Sequence, residues 1–366
     1  MLKMKWLAAV ITAVVCGGCA NKSGPSGPQE WAFAMDKVWE LNRIGEDSLG
    51  RPAEPRIADD GTLYLHDFDR HLSYVIDADG NEIGTFGPRG EGEGEVPMYI
   101  NCFAAGDNVV VCAMDKLHFF TRTGQFVRTV PNNIFARFPL AFKSANEYWL
   151  APGALGDAPE GTATVTHVNL TSGRETVVHT FELSDEDKKP TGGALIPGLT
   201  PQPRMAYDPS TDRIYYGKNS DTVVCWMKAD GSEEGSFSFS ATRIPVSDED
   251  KRSHFAGHDI PEEHVDRIIG TLPDMMAYYG RIEVIDGLVY LLGARSISDK
   301  QTGMQVDVFA PDGEHLYRGR LQVEDGWFIS GNPDNLQLAD GFAYAVLANE
   351  SGDKKIVKYS VALPRP

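Results

Sequence analysis

The chain has 366 residues and a formal net charge of −18, with 52 acidic side chains against 34 Lys and Arg. An acidic surface of this kind repels phosphate backbones, which excludes nucleic acid as an expected partner and argues against electrostatic adhesion to a membrane. Hydrophobic residues make up 42% of the chain, and at this length they can bury one large core.

Residues 1–18 read as a signal segment. Lys3 and Lys5 give it a positive start, and Trp6 to Val15 form an apolar core too short to span a bilayer. Gly17 and Gly18 then precede Cys19. The stretch resembles the bacterial lipoprotein signal, in which a cysteine after small residues becomes the lipid-modified N-terminus. It departs from that pattern at Cys16, which stands where Leu or Val is usual. Val15 is too bulky for Cys16 to be the modified residue, so Cys19 is the expected lipid attachment point. Residues 19–29, CANKSGPSGPQ, are too rich in Gly, Ser and Pro to pack a core and form the expected tether. No Asp follows Cys19 and no acidic run succeeds it. In lipoproteins of this resemblance those features mark inner-membrane retention or surface export. The expected location is therefore the outer membrane, facing the periplasm, with membrane contact through the N-terminal lipid.

From residue 30 onward one local pattern recurs. An apolar strand, a tight polar turn carrying Gly, and a second strand appear in residues 73–86, 118–130, 166–181, 224–239 and 306–320, with turn glycines Gly80, Gly124, Gly173, Gly231 and Gly313. Such turns between alternating runs are strong hairpin signals, because Gly tolerates the positive φ they require. An inner hairpin precedes each one, at residues 56–68, 99–114, 139–153, 204–218 and 281–295. Hairpin pairs repeating at this period predict radially arranged four-stranded sheets, a β-propeller. A sixth copy has an inner pair at 335–349 and a third strand at 354–363, and then the sequence ends. Residues 30–41, EWAFAMDKVWEL, form a strand without a blade, and closing the ring with it would cover two exposed sheet edges. The expected fold is all-β: a six-bladed propeller over residues 30–366, closed by an N-terminal strand. Successive turn glycines are 44, 49, 58 and 82 residues apart. The long last interval places an insertion at residues 241–280, between blades 4 and 5. It reads as two helices, one opened by Ser247 and its following acids, the other by Pro261, Glu262 and Glu263.

The segment FGPRGEGEGEVPMYI, residues 86–100, is similar to the glycine-rich stretch between blades of NHL-type propellers, with Glu93 where Pro is frequent. Together with the signal, the six-fold count and the insertion, the chain resembles the TolB-like or NHL-like six-bladed propeller lipoproteins of Bacteroidota. The resemblance implies the fold and leaves molecular activity open. A phosphate cradle at Gly87 to Gly94 is disfavoured, because Glu91, Glu93 and Glu95 repel phosphate and Pro97 opposes a following helix.

Four inner strands are expected to begin with arginine: Arg56, Arg137, Arg204 and Arg281. If they converge at the ring centre they form a guanidinium cluster suited to a small anionic ligand. The alternative is that each pairs with a neighbouring acid and locks adjacent blades. His254, His258 and His264 in the insertion are a weaker candidate metal set, since Gly257 and Pro261 interrupt the helix that would align them. His66 and Asp67, with Asp69 and His71 nearby, fall where a strand leaves the first blade, and a lone His-Asp pair is weak evidence for a metal. The sequence DADGNE at 77–82 lacks the distal Glu of a calcium loop and is read as a hairpin turn. No catalytic nucleophile set is visible. Cys102 and Cys112 flank one turn, but hairpin register places Cys112 opposite Asn101, and their pairing stays open. No cofactor is expected beyond the lipid. The reading is a scaffold that binds a protein or ligand; the alternative is a periplasmic metal-dependent lyase or hydrolase with its site at the central funnel.

Overall fold

All five hairpin turns close on glycines in the left-handed region, with φ between 67° and 92°. The structure is a computed structural model that describes residues 27–133, 137–158, 161–189, 196, 198–255, 260–294, 303–330 and 333–365. The expected signal segment, Cys19, most of the tether and His258 lie outside these residues.

Four blades are four-stranded antiparallel meanders running outward from the ring centre, at residues 52–86, 101–131, 138–181 and 203–238. The fifth, residues 281–321, carries a fifth strand, and the sixth completes its sheet with the N-terminal segment. The innermost strands are Pro52–Ile57, Asn101–Ala105, Phe138–Ser144, Pro203–Asp208, Arg281–Ile285 and Leu336–Ala339. Each packs beside the next, and the sixth packs beside the first, so the ring is closed. The chain is a six-bladed β-propeller.

Ring closure uses two strands where the sequence suggested one. Gln29–Ala32 adds to blade 5, pairing in parallel with His315–Leu321. Met35–Leu41 supplies the missing outer strand of blade 6, pairing antiparallel with Lys354–Val361. Between them the chain turns and drives Phe33 into the apolar layer between blades 5 and 6. The Trp31 indole N–H donates to the Ala362 carbonyl at 2.7 Å, tying the first strand to the end of the last.

Alternation along each strand puts apolar side chains on both sheet faces, because every blade has a neighbour on either side. One apolar cluster fills each of the six gaps between adjacent blades. Trp149, Tyr64, Tyr215 and Tyr290 are fully buried in these layers, and burying a large side chain of this kind contributes about 1.5–3 kcal/mol.

The expected insertion is helical. Helix α1 (Asp248–Ser253) starts at a capping box in which Ser247 and Asp250 each accept from the other's backbone N–H. Helix α2 (Glu262–Ile269) buries Val265 and Ile269. Val246, Leu272 and Met276 form a small separate core with Ile196 and Leu199 from the connection that leads into blade 4. Arg243 clamps that connection with a two-pronged pair to Glu186, both contacts at 2.7 Å.

Candidate ligand site at the ring centre

Residues two apart on a strand share a face, and the inner strands carry polar residues at this spacing. Gln202 and Arg204 belong to blade 4, Arg281 and Glu283 to blade 5, Asn335 and Gln337 to blade 6. In blade 1, Glu54 and Arg56 reach the centre through a bulge, where pairing with the second strand shifts between Ala53 and Arg56. Glu54 sits there with φ 55°, a conformation costly for a non-Gly residue and often found at functional sites. Its backbone N–H donates to Asn335 Oδ1 at 2.7 Å, so blade 6 holds the bulge.

These strands enclose a cavity of about 350 Å³. Glu54, Arg56, Arg204, Arg281, Glu283 and Asp334 form its charged side. Three guanidiniums and three carboxyls thus meet in one largely buried space.

The three arginines are engaged differently. Arg56 is the most engaged: it donates to the carbonyls of Cys102 (2.9 Å) and Pro55 (3.2 Å) and to Asn101 Oδ1 (2.9 Å), and its Nη2 lies 3.7 Å from Glu54 Oε2. It staples blade 1 to blade 2. Arg204 donates to Gln202 Oε1 at 2.8 Å, and its Nη1 lies 3.6 Å from Asp334 Oδ2. Arg281 Nε lies 2.8 Å from Glu283 Oε1, and its Nη1 is 3.9 Å from Asp334 Oδ1. Among the described residues, Arg204 Nε and Arg281 Nη1 have no hydrogen-bond acceptor. Buried donors in folded proteins are nearly always paired, and an unpaired one costs about 1–3 kcal/mol.

The carboxyls divide in the same way. Burial pushes Glu54 up to about 7, against the pull of Arg56. Burial also raises Glu283 to about 7, against the Arg281 guanidinium beside it. Asp334 is buried too, but Arg204, Arg56 and Arg281 together outweigh that and hold its carboxyl below the ordinary range. Burial lowers Arg281, partly offset by Glu283. Near neutral pH, two of the three carboxyls are therefore poised to be protonated, and the cavity carries excess positive charge.

Of the four arginines expected at the centre, the structure brings together Arg56, Arg204 and Arg281. Arg137 does not line the cavity; it pairs with Glu175 on the outermost strand of its own blade at 2.7 Å. It precedes the strand Phe138–Ser144, whose Phe138, Leu140 and Phe142 take the cavity positions. Arg204 and Arg281 approach Asp334 of blade 6, while Arg56, Arg137 and Arg281 also lie near acids of their own blades.

The other candidates lie elsewhere. His254 is mostly buried, and burial pushes it down to about 4. His264 is half-exposed, with Nε2 4.0 Å from Glu263. Among the described residues, no three His, Cys, Asp or Glu are placed to hold a metal ion. His66 stacks on Tyr99 at 3.7 Å and contacts Ser73 Oγ at 3.0 Å. Asp67 accepts the backbone N–H groups of Gly50, Arg51 and Asp69, and the pair shapes the blade rim. Asp77 caps its own hairpin turn by accepting from Asp79 and Asn81. Cys102 and Cys112 are free, and Cys112 pairs in register with Asn101.

The sequence reading missed Glu54, Glu283, Asp334 and Gln202. A usable signal was present in the polar pairs at spacing two on inner strands, since a strand buried on both faces otherwise reads as continuously apolar.

Fold and cavity together define a six-bladed β-propeller with a charged pocket at its axis. The chain is similar to a member of the DUF4221 family from Bacteroides vulgatus, with a TM-score of 0.57 and 11% identity over 91% of this chain and 99% of that one. It is also similar to a candidate exported protein of Bacteroides fragilis, with a TM-score of 0.51 and 12% identity over 91% of this chain and 95% of that one. At these identities the likeness shows the fold. No protein-family model matches the chain, and no curated protein matches it in sequence.

Proposed function

We propose that this protein is a lipid-anchored binding protein of the periplasmic face of the outer membrane, whose propeller takes a small anionic ligand at its central cavity. The observation that carries the binding reading is the convergence on the cavity of Arg204 and Arg281, each of which keeps a buried donor, Nε and Nη1 respectively, with no acceptor among the described residues. An anion held between the two guanidiniums would supply acceptors where the protein supplies too few. The rigid blades suit this work, because the sheets fix the side chains in advance of binding. The anchor and location rest on the signal-like segment ending at Cys19 and on the Gly/Ser/Pro tether after it.

The test is native mass spectrometry of the full-length protein, purified without chelator, beside its Arg204→Ala/Arg281→Ala variant. A stoichiometric small-molecule adduct on the wild type that the variant lacks supports the reading. Equal adduct on both moves recognition away from the cavity. Metabolic labelling with a lipid precursor tests the anchor separately: incorporation lost in Cys19→Ser is expected.

A further inference from the structure

The cavity has a charged side and a more apolar side. Blades 4, 5, 6 and 1 contribute the charged side chains described above. Blades 2 and 3 face them with Phe103, Phe138, Leu140 and Phe142. Phe103 packs on the buried Phe142 with ring centroids 5.2 Å apart, which ties the apolar side across blades 2 and 3. Phe103, Phe138 and Leu140 are only half-buried and line the cavity, while their remaining surface packs against the apolar layers between neighbouring blades. Arg56 marks the seam: its guanidinium lies 5.8 Å from the Phe103 ring centre while its donors bind the blade 2 backbone and Asn101.

An anion of high charge density has no use for the apolar half. Inorganic phosphate would leave that half wetted, and it would set two negative charges beside Asp334. A neutral apolar molecule would leave Arg204 and Arg281 unsatisfied. What satisfies both halves is a molecule with one carboxylate at one end and an apolar body at the other. The size agrees, since about 350 Å³ lies at the small end of ligand pockets. The charge agrees as well. Asp334 approaches both Arg204 and Arg281, so a monocarboxylate adds one negative charge beside it where phosphate adds up to two. Guanidinium forks match a planar carboxylate in two-pronged geometry.

Resting on the anion-binding reading above, we propose that the ligand is an amphiphilic monocarboxylate, its carboxylate held by Arg204 and Arg281 and its apolar body laid on Phe103, Phe138 and Leu140.

Calorimetric titration of the full-length protein with four probes tests this: 3-phenylpropionate, its neutral amide 3-phenylpropanamide, acetate, and inorganic phosphate. The expected result is that 3-phenylpropionate binds at least tenfold more tightly than each of the other three. Phe103→Ala and Leu140→Ala should each weaken 3-phenylpropionate three- to tenfold without changing acetate. If acetate or phosphate binds as tightly as 3-phenylpropionate, the amphiphile is overturned while the anion site stands. If the amide binds as tightly as the acid, the anion site falls with it. If no probe binds at millimolar concentration to protein that melts cooperatively, both readings are overturned. The wild-type probe series decides the matter even where a core substitution fails to fold.

Discussion

Asp334 Oδ2 stands 3.6 Å from Arg204 Nη1, reaching from blade 6 past blade 5 to blade 4. The contact crosses the ring centre, and Asp334 also approaches Arg281 of the intervening blade at 3.9 Å. One carboxylate thus restrains two guanidiniums from two different blades. It answers part of their charge, and Arg204 Nε and Arg281 Nη1 are left without an acceptor among the described residues.

Removing that carboxylate should expose its role. Breaking a buried ion pair from one side typically costs about 3–5 kcal/mol, because a charge stays buried without compensation. Asp334→Asn is expected to lower the unfolding free energy by about 3 kcal/mol in urea titration. It should also tighten binding of 3-phenylpropionate, since the ligand then replaces the missing negative charge. Weaker binding by a folded variant would mean that Asp334 orients the arginines instead of competing for them.

A pH dependence follows from Glu54 and Glu283, both raised by burial from an ordinary 4.5 to about 7. Between those values the folded protein holds more protons than the unfolded chain, so this contribution to stability is full below about 4.5 and is lost as pH rises through about 7. His66, pushed by burial to about 3, acts in the opposite sense, losing stability as pH falls below an ordinary 6.5. The carboxyl effect is therefore read as a difference. Against wild type, Glu54→Gln and Glu283→Gln should each gain relative stability from pH 5 to pH 8 in thermal melts. Parallel curves would show that these carboxyls titrate in the ordinary range.

Two turn glycines separate backbone strain from crowding. Gly313 has φ +90°, and a Cβ there would sit 2.1 Å from Phe237 Cβ. Gly173 has φ +67° with nothing within 4 Å of the same atom. Gly173→Ala should cost about 1 kcal/mol, the left-handed penalty alone. Gly313→Ala should cost about 3 kcal/mol or more, since overpacking adds to it. Equal denaturation midpoints for the two variants would contradict this packing of the fifth-blade turn against blade 4.

The N-terminal strands make a graded prediction. Deleting residues 1–34 removes Gln29–Ala32, Phe33 and the Trp31 contact to Ala362, and it should leave a cooperative but less stable ring. Deleting residues 1–41 also strips the outer strand from blade 6 and bares Lys354–Val361 as an open edge. That variant should lose cooperative melting or aggregate. A sharp melt after the longer deletion would show that blade 6 holds the ring with three strands.

The number of blades, the strand that completes the sixth and the site of the insertion were legible because each is a local signal repeated along the chain. Turn glycines, alternating runs and the Ser247 cap act within a few residues of themselves, so spacing alone locates them. The division of residues 29–41 into two strands was not legible. Phe33 leaves the strand for a gap between blades 5 and 6 that exists only once the ring has closed.

The sequence by itself determined the propeller, because hairpin turns and strand alternation depend on neighbours in the chain. It also placed arginines on the inner strands, which brought Arg56, Arg204 and Arg281 within reach of one centre. Only the tertiary structure decided that Arg137 turns away to Glu175, that Arg56 is consumed as a staple, and that Arg204 and Arg281 keep donors to spare. Partners such as Asp334 and Cys102 come from blades distant in sequence, and the burial that raises Glu54 and Glu283 is the work of six strands meeting at one axis. A residue's charge is written in the chain, but its pairing and solvation belong to the closed ring.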